Sequence, residues 1–168
     1  MSAIRTFSPR VRHVLLVAAV WAALTSGVAS ARGAVAVVVH ASNPMSEISS
    51  VQLRHIFLGD QTRWSDNQKV TILLLPRGSD ERRTVLRALL KMSEDDFARH
   101  WIAKIFRGDV TSGPKTGITA ASILKLTADL PAALGVLDAD DVPAGTTGVK
   151  VLRIDGKIPG DEEYPFVK

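Results

Sequence analysis

The 168-residue sequence contains no cysteine. This absence excludes disulfide bonds, thiolate metal sites, thiol-based catalysis and lipid modification of a cysteine. The sequence also has no internal repeat, no low-complexity stretch and no linker rich in proline, glycine and serine. Nothing in it therefore marks a boundary between two folded domains, and the fold has to be stabilised by the packing of apolar side chains.

Acidic residues are missing from the first 31 positions, which have the three-part layout of a secretory signal. Three arginines form a positive n-region, and residues 14–24 form an apolar h-region that is too short to span a bilayer. Ala-Ser-Ala at positions 29–31 has the small-x-small pattern of a cleavage site. We predict a signal peptide at residues 1–31, a domain at residues 32–168 and a periplasmic location. The alternative is an uncleaved N-terminal anchor or a buried helix.

The positive charge of the full chain is concentrated in this predicted signal. Removing it takes away three of the 21 basic residues and none of the 17 acidic ones, so the net charge falls from +4 to +1. A nearly neutral domain has no strong field to attract nucleic acid or a membrane surface. We therefore expect no nucleic-acid partner, and no membrane insertion after the signal is cleaved.

Periodicity in the rest of the chain predicts alternating strands and helices. Apolar runs rich in β-branched residues predict buried strands, and apolar residues at one-turn spacing after a capping residue predict helices. The strands are expected at residues 35–39, 70–75, 133–137 and 149–154, and the helices are expected to begin near Ser49, Ser79, Ser93 and Thr119. This order predicts an α/β fold with a mixed sheet flanked by helices.

Two of the predicted helices have residues that we expect to face the core. The helix after Ser93 is expected to bury a stripe at one-turn spacing, and the helix after Thr119 to bury its large aliphatic residues. The first set is Phe97, Trp101, Ile105 and Phe106, and the second is Ile123, Leu124 and Leu126.

Candidate catalytic and metal-binding residues are few. His40, His55 and His100 stand far apart, and none lies in a metal-binding motif. No serine has the flanking glycines of a nucleophile elbow. The acidic residues at 94–96 are interpreted as favourable charge at a helix N-terminus, and those at 138–141 as part of a solvated loop. We expect a protein that is not an enzyme and that has no catalytic residue, metal site or cofactor.

One segment has the physical properties of an anion-binding turn. Residues 76–79, Pro-Arg-Gly-Ser, join the end of a predicted strand to the start of a predicted helix. Unpaired backbone N–H groups, the Ser79 hydroxyl and three nearby arginines could hold an oxyanion there. The arginines are Arg77, Arg82 and Arg83. In the alternative interpretation, Ser79 is only an N-cap and the arginines face solvent.

Several segments resemble one family when they are taken together. They are VAVVVHASNP at residues 35–44, LRHIFLG at residues 53–59 followed by Trp64, Met92-Ser93 with Trp101 and FRG at residues 106–108, ALGV at residues 133–136, and VKVLRIDG at residues 149–156 followed by Tyr164-Pro165. In this order they resemble periplasmic phosphate-binding proteins, the solute receptors of phosphate ABC importers in the type 2 periplasmic-binding-protein superfamily. Met92-Ser93, Trp101 and FRG at residues 106–108 resemble the helix typical of short, single-lobe members.

The resemblance implies both a fold and a ligand site. The fold would be one lobe of a type 2 periplasmic binding protein. Full-length relatives hold phosphate through a Gly-Ser-Gly-Thr turn with a nearby arginine, and the matching positions here are Gly78-Ser79-Asp80-Glu81. The implied ligand-binding residues are Gly78, Ser79, Arg82, Arg77 and Ser42. The third and fourth positions of the turn depart from the family and bring two carboxylates beside the expected anion.

Two functions follow as hypotheses. In the first, the chain is an exported solute-binding-like protein that binds phosphate or a related oxyanion and is linked to ABC-type transport. Its partners would be a small anion and an ABC transporter or another envelope protein. In the second, it is a non-enzymatic periplasmic interaction or sensory module that reuses the fold without binding phosphate.

Overall fold

The computed structural model describes residues 33–168, so the predicted signal peptide at residues 1–31 lies outside the described part of the chain. The strands are β1 (Val35–His40), β2 (Glu47–Ile48), β3 (Thr71–Leu74), β4 (Lys115–Thr116), β5 (Ala133–Asp138), β6 (Val149–Val151) and β7 (Arg153–Ile154). The helices are α1 (Ser50–Phe57), α2 (Asp80–Val85), α3 (Glu94–Phe106) and α4 (Ala120–Asp129). A π-helical turn, Leu86–Leu90, continues α2, and a 3-10 turn, Ala139–Asp141, follows β5.

The main sheet is mixed and has five strands in the order β4-β3-β5-β1-β6. β1 runs antiparallel to β5 and β6, whereas β3 runs parallel to β5 and β4. The predicted α/β fold with a mixed sheet flanked by helices is therefore confirmed. The strand predicted at residues 149–154 is divided at Leu152, because β7 leaves the main sheet to pair in parallel with β2.

The direction of each strand decides which loops can meet. Val35 pairs with Asp138, so the start of β1 lies beside the end of β5, and β3 ends at the same place because it is parallel to β5. We call this the strand-end edge. His40, at the end of β1, lies at the opposite side of the sheet, with the first residues of β3 and β5. We call that side the strand-start edge.

Helices cover both faces of the sheet. Successive side chains of β1 point to opposite faces, as in any strand. Val35, Val37 and Val39 belong to the larger core, which also contains the buried residues of α1, α2 and α3. Ala36 and Val38 belong to the smaller core under α4. Because both faces of the sheet are covered, every residue from Val35 to Val39 is buried, and this explains the continuous apolar run in the sequence.

Hydroxyl side chains fix the starts of three helices. The N-cap side chains of α1, α3 and α4 each accept a hydrogen bond from a first-turn backbone N–H, as is typical of N-caps. These caps are Ser49, Ser93 and Thr119, all at the predicted positions. The N-cap of α2 is Ser79, where the sequence predicts a helix to begin, but its side chain makes no such bond.

Some predicted core positions are wrong. In α3, Phe97 and Trp101 are buried, but Ile105 is 43% and Phe106 is 93% exposed. At 100° per residue, Phe106 lies about 180° around the helix from Phe97, so both cannot face the sheet. In α4, Leu126 is 39% exposed, and Thr127 is buried beside Ile123 instead because its direction lies closer to that of Ile123.

Candidate functional site

The predicted anion-binding turn lies at the strand-end edge, directly after β3. The backbone N–H of Ser79 donates to the Pro76 carbonyl at 3.2 Å and closes the turn. Gly78 has a φ of +89°, a conformation that favours glycine, and a Cβ added there would meet nothing within 4 Å. The turn therefore presents an open backbone surface beside the start of α2.

Ser79 differs from the other three N-cap residues. Its backbone is extended, with φ −66° and ψ 147°, and its side chain caps no backbone N–H. The Ser79 Oγ atom is buried and has no hydrogen-bond partner within residues 33–168. Buried hydroxyls are normally hydrogen-bonded. The unpartnered hydroxyl and the uncapped N–H groups of the first turn together form a set of donors suited to an oxyanion.

Arg82 has internal partners instead. The residue is 8% exposed; its Nε donates to Glu94 Oε2 at 2.9 Å and its Nη1 donates to the Leu75 carbonyl at 3.3 Å. The guanidinium carbon lies 5.9 Å from the centre of the Phe97 ring. These contacts join the end of β3, α2 and α3. The side chain that the resemblance assigns to the ligand is thus used in packing.

The other charged residues around the turn are also paired. Arg77 lies 2.5 Å from Asp95, and Arg83 forms an ion pair with Asp80. Glu81 accepts a hydrogen bond from Lys168 Nζ at 2.7 Å. The two carboxylates that depart from the family turn, those of Asp80 and Glu81, therefore each have a cation beside them. Their repulsion of an anion is reduced accordingly.

Lys168 reaches this edge because residues 164–168 run along the start of β1. The backbone N–H of Val35 donates to the Phe166 carbonyl at 2.8 Å, and the Tyr164 hydroxyl donates to the Val35 carbonyl at 2.8 Å. Burial raises the pKa of Tyr164. The Lys168 ammonium then contacts both Glu81 and Asp138. This three-residue cluster, Glu81–Lys168–Asp138, links α2 to the end of β5.

The cluster changes how nearby groups titrate. Burial alone would raise the pKa of Asp138, but Lys168 and the backbone N–H of Asp140 hold it below its usual value. Burial would lower the pKa of Lys168, but hydrogen bonds to Asp138 and Glu81 hold it above its usual value. Burial and the charges of Asp138 and Glu81 raise the pKa of Asp141, and the attraction of the Lys168 charge offsets only part of this rise. The pKa values of Asp138 and Asp141 are thus shifted in opposite directions at the strand-end edge.

Ser42 is not brought to this turn. It follows β1 at the strand-start edge, is exposed, and contacts His40 Nδ1 through its Oγ at 2.7 Å. Five steps along β1 separate Val35 from His40, a length of about 17 Å at 3.3–3.4 Å per residue. Gly78, Ser79, Arg77 and Arg82 lie together, and Ser42 lies on the far side of the sheet.

The histidines have ordinary surroundings. His100 Nε2 lies 2.8 Å from the Leu58 carbonyl, and His55 lies 3.6 Å from Asp60. Within residues 33–168, no group of three or more His, Asp or Glu residues is arranged to hold a metal ion. In the same part of the chain, no helix has the length and apolar character needed to cross a membrane.

Sequence reasoning did not find the Glu81–Lys168–Asp138 cluster. Its members are separated by 87 and 30 positions along the chain. Nothing local in the sequence indicates that they meet, because the contact depends on residues 164–168 returning to β1.

No protein-family model matches the sequence, and no curated protein matches it. The fold is nevertheless that of phosphate ABC transporter substrate-binding proteins, as the resemblance in the sequence implied. An ABC-type phosphate transport receptor from Vibrio cholerae superposes with a TM-score of 0.59 at 17% identity. For a phosphate ABC transporter substrate-binding protein with bound phosphate from Clostridium perfringens, the TM-score is 0.60 at 17% identity. For a phosphate-binding protein from Stenotrophomonas maltophilia, the TM-score is 0.57 at 15% identity.

The superposed region is a larger fraction of this chain than of each similar structure. They cover 75% of this chain but 48% of the Vibrio protein and 46% of the Clostridium protein. For the Stenotrophomonas protein the shares are 76% and 40%. This chain therefore spans less than half the length of the proteins whose fold it shares.

Proposed function

We propose that this chain is an exported, non-enzymatic solute-binding module that contacts phosphate or a related oxyanion at the Gly78–Ser79 turn. The observation that carries the proposal is the Ser79 hydroxyl, which is buried, unpartnered within residues 33–168 and located at an uncapped helix N-terminus. An oxyanion there would accept hydrogen bonds from this hydroxyl and from first-turn N–H groups.

The electrostatic surroundings support an anion of low charge. Asp80 is paired with Arg83 and Glu81 with Lys168, so the carboxylates nearest the turn are partly neutralised. Arg82 contributes through its position behind the turn, since its guanidinium is bound to Glu94 and the Leu75 carbonyl. Binding would then depend mainly on backbone and hydroxyl donors.

The open side of the turn limits the affinity. A Cβ placed at Gly78 would meet nothing within 4 Å, so this chain encloses the anion from one side only. Small ligands bind tightly when most of their surface is buried. A second wall would come from a transporter, another envelope protein or a second binding lobe, and a link to ABC-type phosphate transport is part of this proposal.

A melting experiment tests the ligand. The protein recovered after expression of the full chain would be heated with phosphate, sulfate or chloride at equal ionic strength. At ten times the Kd, phosphate should raise the Tm by about 4 °C, because it binds only the folded state. Ser79→Ala should abolish the rise, whereas Ser65→Ala, in an exposed loop, should retain it. An equal Tm in all three anions would refute the proposal.

A second candidate function is an interaction module without a bound anion. The observation that favours it is an exposed apolar row on α3, in which Ile102 is 66%, Ile105 43% and Phe106 93% exposed. Such residues mark contact surfaces when they cluster. Phe106→Ser should then abolish cross-linking to an envelope protein in whole cells and leave the Tm unchanged. Retained cross-linking by this variant would count against the row as a contact surface.

A further inference from the structure

A second concave site lies apart from the anion turn. It is a cavity of about 380 Å³ between the loop that follows α1, at residues 59–70, and the loop that precedes β4, at residues 108–114. Thr71, the first residue of β3, also lines it, so the cavity lies toward the strand-start edge. Its volume is within the range of about 300–1,000 Å³ typical of small-molecule sites.

One wall of this cavity is apolar and aromatic. Trp101 is 8% exposed, and its Nε1 is buried without a hydrogen-bond partner within residues 33–168. Gly59 lies against the indole so closely that an added Cβ would stand 2.9 Å from Cη2. Gly113 approaches the same ring, with an added Cβ at 3.6 Å from Cε3. Two glycines thus allow backbone to pack around an indole that lines an open space.

The lining of the cavity also includes cations without carboxylate partners within residues 33–168. Arg63, Lys69 and Lys115 line it, and none has an ion pair within residues 33–168. Arg63 Nη1 donates to the Asn67 carbonyl at 2.6 Å, and Lys69 Nζ donates to Thr111 Oγ1. Each of these hydrogen bonds uses one donor of the side chain and goes to a neutral acceptor, so the positive charges of Arg63 and Lys69 are not neutralised by a carboxylate within residues 33–168.

Local structure fixes the backbone positions of Arg63 and Lys69. Arg63 and Lys69 face each other across an antiparallel bridge, and Trp64 between them is anchored in the core by a 3.0 Å bond from Nε1 to the Ala132 carbonyl. The acidic residue of the lining, Asp109, is held by Arg107 Nε at 3.0 Å. The side chains around the opening therefore carry a net positive charge.

We propose that this cavity binds a small organic carboxylate with an apolar or aromatic body. The body would pack on Trp101 and on the apolar lining, and the carboxylate would accept hydrogen bonds from Lys69, Lys115 or Arg63. A bare inorganic oxyanion would gain nothing from the indole wall. A neutral apolar molecule would leave the cations without a partner. Only an amphipathic anion would contact both the indole of Trp101 and the cations.

This site is independent of the proposed phosphate function. The cavity and the Gly78–Ser79 turn share no residue, and they lie toward opposite edges of the sheet. Loss of one activity therefore does not imply loss of the other, and the two proposals fail separately.

Benzoate and benzamide are matched probes for the test, because they have the same ring and differ in charge. In calorimetry with the protein recovered after expression of the full chain, benzoate should bind saturably. Benzamide should bind about tenfold more weakly or worse, the difference expected when a charge-assisted hydrogen bond is lost. The double change Lys69→Gln with Lys115→Gln should weaken benzoate to the level of benzamide. Lys125→Gln, which removes an exposed cation on α4, is the matched control and should bind like wild type.

The indole N–H resonances of Trp64 and Trp101 locate the ligand in the same samples. Trp101 lines the cavity and its Nε1 has no hydrogen-bond partner within residues 33–168, whereas Trp64 Nε1 donates to the Ala132 carbonyl. Benzoate should shift the Trp101 signal and leave the Trp64 signal in place. The proposal is overturned if benzoate does not saturate below about 10 mM, a Kd near the weak end of specific binding. It is equally overturned if benzamide binds as well as benzoate, or if Trp101 does not respond.

Discussion

The strand-end edge and the loop cavity both contain clustered cations, but the cations have different partners. At the strand-end edge each one faces a carboxylate, whereas around the cavity none does within residues 33–168. The first set is Arg77, Arg82, Arg83 and Lys168, and the second is Arg63, Lys69 and Lys115. The number of arginines and lysines in a segment therefore does not indicate where an anion can bind. What matters is whether the fold brings a carboxylate to each cation.

The two regions would accordingly recognise anions by different means. At the strand-end edge the available donors are the Ser79 hydroxyl and backbone N–H groups, which are fixed dipoles. At the cavity the donors are exposed ammonium and guanidinium groups, whose attraction is screened by salt. Anion binding at the cavity should thus weaken with ionic strength more steeply than binding at the turn.

The largest effect should come from breaking the buried pair at the strand-end edge. Arg82→Met leaves the Glu94 carboxylate, 19% exposed, without its cation and should lower the free energy of unfolding by about 3 kcal/mol. Arg77→Met removes an exposed pair and should cost less than about 0.5 kcal/mol. Urea unfolding of the two variants measures the difference. Equal stability of the two would mean that Arg82 is not a packing residue.

One glycine from each region provides the next comparison. Gly59 and Gly78 both have positive φ, of +71° and +89°, so alanine at either site costs about 1 kcal/mol of backbone strain. Only at Gly59 would the new Cβ also press on Trp101, which adds about 1–2 kcal/mol. Gly59→Ala should therefore lower the Tm more than Gly78→Ala. The reverse order would show that the cavity wall is loosely packed.

Two serines at helix N-caps should respond differently to the same change. Ser93→Ala removes a hydrogen bond to the Asp96 N–H and should cost about 1 kcal/mol. Ser79→Ala removes a buried hydroxyl that has no partner in the described residues, so the free energy of unfolding should stay within about 0.5 kcal/mol or rise. Chemical unfolding without added anions is the measurement. A cost at Ser79 equal to that at Ser93 would indicate an ordinary cap.

The smallest effect concerns pH. The pKa of Asp138 is lowered in the fold, so the Glu81–Lys168–Asp138 cluster contributes stability at neutral pH that is lost as pH falls through the folded pKa of Asp138. Lys168→Gln should therefore be less stable than wild type by up to about 1 kcal/mol at pH 7, and the difference should shrink as pH falls through the folded pKa of Asp138. Unfolding curves at several pH values measure it. A difference independent of pH would contradict the assigned ion pairs.

Local patterns in the sequence predicted most of the fold. The apolar run at residues 35–39 and the caps at Ser49, Ser93 and Thr119 lie where expected, because strand burial and capping are decided by neighbouring residues. The outward positions of Ile105 and Phe106 were not predicted, since spacing along a helix does not show where the covering sheet ends.

The candidate site was predicted less completely. The Gly78–Ser79 turn depends on neighbouring residues, and its role as an anion site stays a prediction, whereas the pairing of Arg82 with Glu94 depends on how two helices pack. Ser42 was assigned to the same ligand, although the antiparallel direction of β1 carries it to the other side of the sheet. The loop cavity was not found at all, because Lys69, Trp101 and Lys115 meet only through the folded loops.

Mapping phosphate by amide resonances in the ¹⁵N-labelled protein tests the central claim most directly. We predict that phosphate shifts the backbone amides of residues 78–81 along one saturable curve. The amides of residues 63–69 and 111–115 should stay in place at the same concentrations. Shifts confined to the loops around Lys69 and Lys115, or shifts at residues 78–81 that persist unchanged in Ser79→Ala, would contradict the assignment of the oxyanion to the turn.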